Sequence, residues 1–274
     1  MARNGGCSAD GLIRRKEIKN MSGYSTFARF YDKLTANIDY RKRGEYFNEI
    51  IKKFKVTKEN ILLDLACGTG SISEVMAGLG YDVVGVDNSE EMLGIAMEKK
   101  FESGSSVQYL CQDMCRLDMF GTVDVTICAL DSINHLPSIG DVRRVFEGVA
   151  FFSEQDGLFI FDVNTLYKHR KILADNTFTY EAEGIYCVWE NTLNRETDEV
   201  RMNLEFFEEL ENGLYERSSD SFLEKAYSEE ELEKLLAETG FELLGKYGDD
   251  TFEAPDENTQ RIVYAARCIR NGQR

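Results

Sequence analysis

The sequence contains no long apolar run. A membrane-spanning helix needs about 20 consecutive apolar residues, and no stretch of this chain approaches that length. The first twenty residues also lack the apolar segment of a secretory signal. We therefore expect a cytoplasmic protein without membrane contacts. Residues 1–23 are predicted to form a disordered extension, with Met21 as a candidate native start.

Basic residues are scarce. The chain carries 32 Lys and Arg against 49 Asp and Glu, which gives a formal net charge of −17. Because proteins bind nucleic-acid phosphates through Lys and Arg, this balance disfavours a nucleic-acid partner. The acidity is concentrated between Glu181 and Glu238, a region with 18 acidic and 5 basic residues. We interpret that region as a solvated surface, with attraction of a cationic partner or substrate as the alternative.

The seven cysteines are odd in number and irregularly spaced. Cys111 and Cys115 are four residues apart, but no second pair completes a zinc-binding arrangement. Small buried thiols in a reducing compartment explain this usage, and we expect no metal ion. Cys67 lies in a glycine-rich segment and is predicted to be there for its size, not for thiol chemistry.

Strand-like and helix-like segments alternate through the first part of the chain. The strand-like segments are short apolar runs, and helical patterns lie between them. This alternation predicts a mainly parallel sheet that helices cover on both faces. The predicted strands are residues 61–65, 82–86, 107–111, 123–129 and 158–163. The predicted helices are residues 24–32, 40–55, 71–79, 90–100 and 139–152.

The pattern changes at about residue 176. From there to residue 224, three segments alternate apolar and polar residues, and Asn212-Gly213 is a hairpin signal. This predicts a small antiparallel sheet inserted into the α/β domain. Ser228 and Glu231 then form a capping box that begins another helix. The closing strands are predicted at residues 241–247 and 261–268.

Residues 61–70 combine a buried strand, a glycine turn and the start of a helix. Gly68 and Gly70 allow a ligand to approach the backbone where the following helix begins. Asp64 precedes these glycines, and its carboxylate would repel a pyrophosphate there. The same carboxylate suits a cationic or hydrogen-bond-donating ligand group.

Polar residues also follow the other predicted strands. In an open α/β sheet, ligands bind beyond the carboxyl ends of the strands. Asp87, at the end of the second strand, can accept hydrogen bonds from both hydroxyls of a ribose. Asp113, after the third strand, can accept one from an adenine amine while Met114 packs on the ring. Together with an amino-acid-like cation at Asp64, these are the three parts of S-adenosylmethionine.

These segments resemble the class I S-adenosylmethionine-dependent methyltransferases. Asp64-Leu-Ala-Cys-Gly-Thr-Gly70 matches the glycine-rich motif of that family. Val83-Val-Gly-Val-Asp87-Asn-Ser-Glu-Glu-Met92 matches its ribose-binding segment, and Gln112-Asp113-Met114 matches its adenine-contacting segment. The combination is specific, whereas any single motif would occur by chance.

A closer likeness is to a bacterial small-molecule methyltransferase group. It lies in Asp131-Ser-Ile-Asn134-His-Leu, Phe161-Asp-Val-Asn-Thr165 and Arg261-Ile-Val-Tyr-Ala-Ala-Arg267. The resemblance covers residues 24–166 and the C-terminal strands. It implies a doubly wound α/β fold with a mostly parallel, seven-stranded Rossmann-like sheet whose last strand is antiparallel. Residues 24–175 and 225–270 would bind the donor, and the lid helices (24–55) and the inserted sheet (176–224) would roof the acceptor pocket.

The resemblance places the donor site at the strand ends. Tyr31 and Tyr24 are the aromatic candidates to close over the ligand, because aromatic faces stabilise a sulfonium. The implied donor-binding residues are Tyr31, Asp64, Ala66, Gly68, Gly70, Asp87, Asn88, Met92, Gln112, Asp113, Met114, Ala129 and Asp131.

His135 and Asp131 are the candidate catalytic residues. Methyl transfer from a sulfonium is an in-line displacement, in which positioning supplies much of the acceleration. If the acceptor is an amine or a hydroxyl, His135 can take its proton near neutral pH, and a purely structural role for His135 is the alternative. Asp131 is expected to contact the donor or to orient the acceptor. His169 and Trp189 are expected to have packing roles.

The sequence therefore predicts S-adenosyl-L-methionine-dependent methyl transfer to a small-molecule acceptor through an N, O or C nucleophile. A protein acceptor and a non-catalytic S-adenosylmethionine-binding protein are the alternatives. A nicotinamide-dependent oxidoreductase is disfavoured by Asp64 and by Ser73, where a third glycine is expected. Nucleic-acid methylation is disfavoured by the net charge and by the lack of an Asn-Pro-Pro-Tyr motif after the fourth strand. We expect a monomer or a homodimer.

Overall fold

A computed structural model describes residues 25–182, 184–248 and 250–269. The predicted extension (residues 1–23) and Tyr24 lie outside the described residues. The strands are β1 (Ile61–Leu65), β2 (Asp82–Asp87), β3 (Gln108–Cys111), β4 (Val123–Cys128), β5 (Ser153–Asn164), β6 (Thr177–Ala182), β7 (Ile185–Asn194), β8 (Glu199–Glu209), β9 (Tyr215–Lys225), β10 (Phe241–Gly248) and β11 (Arg261–Cys268). The α-helices are α1 (Ser25–Leu34), α2 (Tyr40–Phe54), α3 (Ser71–Gly78), α4 (Glu90–Ser103), α5 (Ile139–Phe152) and α6 (Glu229–Thr239).

The main sheet has seven strands in the order β10-β11-β5-β4-β1-β2-β3. The strands β1 to β5 pair in parallel, whereas β11 runs antiparallel to both β5 and β10. This arrangement confirms the predicted doubly wound, mostly parallel sheet with an antiparallel last strand. The strand order changes direction between β1 and β4. In such sheets the crevice beyond the carboxyl ends of these two strands is the place for a ligand.

Helices cover both faces of the main sheet because its strands are apolar on both sides. In β1, Leu62 packs in the core under α2 and α3, and Leu63 packs in the core under α5 and α6. Both side chains are fully buried. Successive residues of a strand point to opposite faces, so this one apolar strand belongs to two cores. The loop that follows β1 is therefore held on a rigid base.

Capping residues set the helix ends close to the predicted positions. The hydroxyl of Ser89 accepts the N–H of Met92 at the start of α4, and the capping box of Ser228 and Glu231 begins α6 as predicted. Helix α4 continues three residues beyond its predicted end at Lys100. It ends where Gly104 adopts a φ of +70°, because this left-handed conformation stops a helix at little cost for glycine.

Three elements differ from the sequence prediction. The strand β6 was missed, since it has only two large apolar residues, Phe178 and Tyr180, and alternate residues are exposed. A short π-helix (Lys168–Leu173) was also missed. The strand β5 begins at Ser153 and not at residue 158, and it contains an irregularity where Asp156 adopts a φ of +64°.

The second sheet is antiparallel, with the order β6-β7-β8-β9. Its buried face packs against α1, where the rings of Phe30 and Phe206 lie 4.9 Å apart. Helix α1 and the second sheet therefore form one packed unit beside the main sheet. Among the described residues, no helix is both long and apolar enough to cross a membrane.

Candidate active site

Hydrogen bonds join the carboxyl ends of the first three strands. The backbone N–H of Gly68, after β1, donates to Oδ2 of Asp87 at the end of β2 (2.8 Å). The N–H of Gln112, after β3, donates to the carbonyl of Asp87 (2.9 Å). These bonds bring three of the predicted donor-binding segments together at one edge of the sheet.

The glycine loop requires left-handed backbone at several positions. Gly68 and Gly70 have φ values of +55° and +75°, and Ala66 adopts +59°. A Cβ at Gly70 would clash with the hydroxyl of Tyr109, so only glycine fits there. Apart from Gly68 and its two chain neighbours, no atom of the described residues lies within 4 Å of a Cβ placed at this position. Gly68 therefore presents open backbone to the crevice.

Asp64 is a buried carboxylate at the base of this loop. It is 2 % exposed, and Ser73 donates a hydrogen bond from Oγ to Oδ2 (2.5 Å). Burial raises the pKa of Asp64 to about 6, although the bond from Ser73 opposes this shift. No ion pair joins Asp64 to a cation in the described parts of the chain. The position thus suits a positively charged ligand group.

Asp87 combines a structural role with free acceptor capacity. Its oxygens accept the backbone N–H groups of Gly68 (2.8 Å) and Ser89 (2.9 Å). Burial raises the pKa of this carboxyl, and the two backbone bonds oppose the shift. Each carboxylate oxygen has two lone pairs, so both can still accept from a diol. Beside Asp87, Asn88 is exposed and Met92 is buried.

Some side chains after β3 already form hydrogen bonds within the protein. The side chain of Gln112 forms two hydrogen bonds with the backbone of Asp118 (2.8 and 3.0 Å). Asp113 is exposed and accepts the N–H of Cys115, and Met114 is half-buried against the core. Gln112 therefore fastens the loop, while Asp113 keeps one oxygen for a ligand.

Two arginines that the sequence analysis did not single out as site residues hold the ends of β4 and β5. The carboxylate of Asp162 is fully buried and accepts the N–H groups of Leu130 (2.9 Å) and Asp131 (2.7 Å). Arg261 contacts both Asp131 and Asp162, and Arg43 contacts Asp162 at 3.0 Å. The guanidinium groups of Arg43 and Arg261 offset the cost of burying the Asp162 carboxylate.

Asp131 belongs to the same network. Its oxygens accept from Arg261 (2.7 Å) and from Nδ2 of Asn164 (2.9 Å). Burial would raise the pKa of Asp131, but the guanidinium of Arg261 and the ammonium of Lys168 outweigh it and hold the pKa well below its usual range. Such a carboxylate is a poor proton acceptor. Among the roles suggested for Asp131, this arrangement favours contact with the donor or orientation of the acceptor over proton transfer, and its role stays a prediction.

His135 lies on the short 3-10 turn (Ser132–His135) that follows β4. Its ring packs against Phe222 of the second sheet, with the ring centres 5.4 Å apart. Asn134 next to it is fully buried and joins β5 to β9, because its Nδ2 donates to the carbonyls of Asn164 and Lys225. Ala129, at the start of this loop, is buried, and its carbonyl accepts the hydroxyl of Ser132.

Tyr31 lies on α1, between the second sheet and the strand ends. Burial raises the pKa of Tyr31, and Tyr40 and the carboxylate of Asp131 add to the shift. The next residue, Asp32, accepts from Thr69 Oγ1 (2.7 Å) in the glycine loop and pairs with Lys99 (2.7 Å). Helix α1 therefore lies against the glycine loop.

Glu224 is a member of the site that the sequence analysis did not identify. It is 4 % exposed on β9, and its carboxylate lies within 4.8 Å of ligand atoms of Asp131 and His135. The three residues could hold a cation, although both oxygens of Asp131 already accept hydrogen bonds. Of the residues expected to pack, His169 is fully buried, and Trp189 contacts two apolar clusters of the second sheet.

The thiol beside the glycines is unsuited to nucleophilic chemistry. Burial raises the pKa of Cys67 well above its usual value, and the carboxylates of Asp64 and Asp87 add to this shift. A thiol of this kind stays protonated, and the thiolate is the reactive form. The geometry therefore supports the predicted space-filling role of Cys67.

Comparisons with known proteins agree with this fold. A family model described as "Methyltransferase domain" matches residues 62–157. A candidate methyltransferase of Geobacillus sp. (strain WCH70) is 32 % identical over 89 % of this chain and 99 % of its own length. The crystal structure of an S-adenosylmethionine-dependent methyltransferase from Clostridium acetobutylicum is 32 % identical over 89 % of this chain and 98 % of that chain, with a TM-score of 0.80.

A more distant match shows the same fold. It is a sugar N-methyltransferase from Streptoalloteichus sp. ATCC 53650, with 19 % identity, a TM-score of 0.69, and coverage of 96 % of this chain and 98 % of that chain. The fold is that of the S-adenosylmethionine-dependent methyltransferases. The chain belongs to the class I S-adenosylmethionine-dependent methyltransferases, and S-adenosylmethionine is its methyl donor.

Proposed function

We propose that this enzyme transfers the methyl group of S-adenosyl-L-methionine to a small-molecule acceptor through an N, O or C nucleophile. This proposal is supported by two sets of side chains that lie close together where the strand order of the main sheet changes direction. The glycine loop, Asp64 and Asp87 form the donor side. His135 and Glu224 lie on the other side, where α1 and the second sheet border the crevice.

The donor-binding roles follow from the charge and geometry of each residue. Asp64, buried without a cationic partner, would accept the amino group of the methionine part. The oxygens of Asp87 would accept the ribose hydroxyls, and the exposed Asp113 would accept from the adenine amine beside Met114. Tyr31 would close over the sulfonium from α1, where an aromatic face stabilises a cation.

The bound donor supplies a methyl carbon on a sulfonium, and the reaction at that carbon is an in-line displacement. The protein's task is to hold the nucleophile in line and to remove solvent from it. For an amine or hydroxyl acceptor, His135 would take the proton that the nucleophile releases. Asp131, fixed by Arg261 and Asn164, would keep the loop that carries His135 in place.

An acceptor that enters as a cation agrees best with the charges at this edge. Asp131 and Glu224 lie beside His135, and residues 181–238 carry 18 acidic and 5 basic residues. Opposite charge raises the local concentration of a substrate and its rate of association. The sugar N-methyltransferase of similar fold is consistent with an amine acceptor, although the shared fold alone does not specify one.

The proposal is tested by a metabolite screen with a methyl-labelled donor. The enzyme is incubated with a cell extract, and the label is traced in the small-molecule and protein fractions. We expect label in small molecules, and its loss in Asp87→Ala. Label confined to protein would support the protein acceptor instead. Donor binding without any transfer would support the non-catalytic alternative.

We also propose that the enzyme works in the cytoplasm, as a monomer or a homodimer, without nucleic-acid partners. The support is chemical, because all six cysteines that lie in the described ranges are free thiols, as in a reducing compartment. Sedimentation equilibrium of the native protein would give the oligomeric state directly.

A further inference from the structure

A buried carboxylate lies between the only two histidines of the chain. Glu224 Oε1 is 3.8 Å from Nε2 of His135, and Oε2 is 3.5 Å from Nε2 of His169. Asn164 donates from Nδ2 to the same Oε2 (3.0 Å). The two histidines come from separate segments, the turn after β4 and the π-helix, so Glu224 of β9 connects both to the second sheet.

The position of the hydrogen on His169 follows from its other nitrogen. Nδ1 lies 3.1 Å from the backbone carbonyl of Asp198. A carbonyl oxygen only accepts hydrogen bonds, so Nδ1 carries a hydrogen. In a neutral ring, Nε2 would then be a bare acceptor, and it would point its lone pair at the carboxylate of Glu224.

That arrangement is unfavourable at a site closed to water. His169 is fully buried, and its Nε2 has no hydrogen-bond partner in the part of the chain that the structure describes. Two acceptors facing each other without a hydrogen lose the free energy of a buried bond and repel each other. A proton on Nε2 removes this conflict, because the imidazolium can donate to Glu224 from Nε2 and to the carbonyl of Asp198 from Nδ1.

We propose that His169 and Glu224 form an imidazolium–carboxylate pair, and that this pair positions His135 at the acceptor site. The inference rests on the proposed function, in which His135 takes the acceptor proton. Glu224 and His169 are positioning residues, since they act through His135. The side chain of Glu224 also accepts the hydrogen bond from Nδ2 of Asn164.

The surrounding charges are compatible with a net neutral pair. Asn164 donates to Asp131 and Glu224 together, and its Oδ1 accepts from Lys168 (2.8 Å). Asp198, beyond the imidazole, is neutralised by two hydrogen bonds from Arg170 (2.7 Å each). The charged groups around the pair are Asp131, Lys168, Arg170, Asp198, Glu199, Lys225 and Arg261.

Nitrogen NMR of the full chain tests the protonation directly, because two histidines give only two sets of ring signals. The variant His135→Gln removes one set of signals, and the remaining set is then assigned to His169. We expect both ring nitrogens of His169 to carry hydrogen at neutral pH in the native protein, and only Nδ1 to do so in Glu224→Gln. A native His169 with hydrogen on a single nitrogen would overturn the proposal.

The positioning role has a separate kinetic test with an acceptor found by the labelled screen. Glu224→Gln should lower kcat about 10- to 100-fold, while the affinity for S-adenosylhomocysteine stays unchanged in calorimetry. Glu205→Gln, an ion-paired surface position on the same sheet, is the matched control and should keep native turnover. Native kcat in Glu224→Gln would overturn the role.

A pair of variants at His169 distinguishes positioning from packing. In His169→Gln the amide nitrogen can reach the place of Nε2 and still donate to Glu224, whereas in His169→Asn the shorter amide serves the place of Nδ1 only. We expect His169→Gln to keep more of the native kcat than His169→Asn. Equal kcat in both variants would contradict the proposal.

Different results would contradict the proposed function and the proposed pair of His169 and Glu224. A native protein that binds donor but methylates no small molecule would contradict the proposed function, while the NMR result on His169 would still hold. A native protein that turns over with a singly protonated His169 would leave the function in place and remove the pair.

Discussion

At the residue scale, the electrostatics of the crevice depend on carboxylates that the protein leaves incompletely paired. Asp64 is buried with one hydroxyl as its hydrogen-bond partner, whereas Asp131 and Asp162 have guanidinium partners. Burial without a cation raises the pKa of Asp64, whereas the guanidinium of Arg261 lowers the pKa of Asp131. Asp64 is the carboxylate that we assign to the cationic end of the donor.

Donor binding should depend on the ionisation of Asp64. Its pKa in the unliganded protein is about 6, and a cationic amino group binds the carboxylate form. Below pH 6 the affinity for S-adenosylhomocysteine should therefore fall, by up to about tenfold per pH unit. Calorimetric titrations from pH 5 to 8 measure this.

The stability of the unliganded protein should change with pH in the opposite direction to the donor affinity. Because the folded-state pKa of Asp64 is above the usual value of about 4, the folded state binds the proton first, and the unliganded protein gains stability from this group as the pH falls from about 6 towards 4. Asp64→Asn should bind the donor weakly with no such pH dependence. An affinity of the native protein that is flat down to pH 5 would contradict the role of Asp64.

The ribose assignment gives a second prediction at this scale. Asp87→Ala should weaken binding of the donor by about 1–3 kcal/mol, because the ribose hydroxyls lose their acceptor. Asp82→Ala, at the exposed opposite end of the same strand, is the matched control and should bind normally. Equal affinities of the two variants in calorimetry would reject the assignment.

At the element scale, α1 contacts both sides of the crevice. Towards the second sheet, Phe30 packs on Phe206, and the N–H of Phe27 donates to Asp220 (3.2 Å). Towards the donor side, Asp32 accepts from Thr69 of the glycine loop. One helix thus connects the second sheet to the glycine loop, and we expect its position to affect release of S-adenosylhomocysteine.

Cutting the contact of α1 with the glycine loop should speed that release. Asp32→Ala removes the bonds to Thr69 and Lys99, and we expect S-adenosylhomocysteine to dissociate several-fold faster, as for the loss of one or two hydrogen bonds. Stopped-flow fluorescence measures the rate. Arg29→Ala, which removes an exposed ion pair with Glu208 and a cation–π contact with Phe30 on the same helix, should leave the rate unchanged. An equal change in both variants would contradict the role of the contact between α1 and the glycine loop.

The regular elements were predictable from sequence because local patterns specify them. The strand β1 and the helix α5 have their predicted bounds, since an apolar run and a serine cap mark them. The strand β6 and the π-helix carry no such local signal. Their conformations depend on contacts far away in sequence, such as the hydrogen bond of His169 to the carbonyl of Asp198.

The candidate site was predictable where one segment supplies the signal. The residues of the glycine loop and Asp87 lie where the motifs placed them, although their ligand contacts stay predictions. Arg43, Arg261 and Glu224 could not be placed, because their partners are distant in sequence: Arg43 and Asp162 are 119 positions apart. A charged residue can be recognised as buried only in the folded structure. The sequence alone therefore does not identify these ion pairs.

At the scale of the whole molecule, a strongly acidic chain holds its few buried cations at the centre of the site. The net charge is −17, yet Arg43 and Arg261 lie among Asp131, Asp162 and Asp250. These ion pairs join α2, the β4 loop, β5 and β11. Removal of these ion pairs should therefore lower the free energy of unfolding of the whole protein.

Arg261→Met should lower the free energy of unfolding by about 3–5 kcal/mol, because it leaves Asp131 and Asp162 buried without their shared guanidinium. Chemical denaturation measures this. Since the pKa of Asp131 is held below its usual range, this pairing contributes stability at neutral pH that is lost only as the pH falls through that low value. Arg261→Lys should lose less, and a loss below about 1 kcal/mol in Arg261→Met would contradict the prediction.

The most direct test of the central claim is a crystal structure with S-adenosylhomocysteine bound. The account predicts the amino group beside Asp64 and the glycine loop, the ribose hydroxyls on Asp87, and the adenine beside Asp113 and Met114. The sulfur should face the turn that carries His135. A nucleoside bound away from the carboxyl ends of β1 and β2, or a sulfur facing away from that turn, would contradict it.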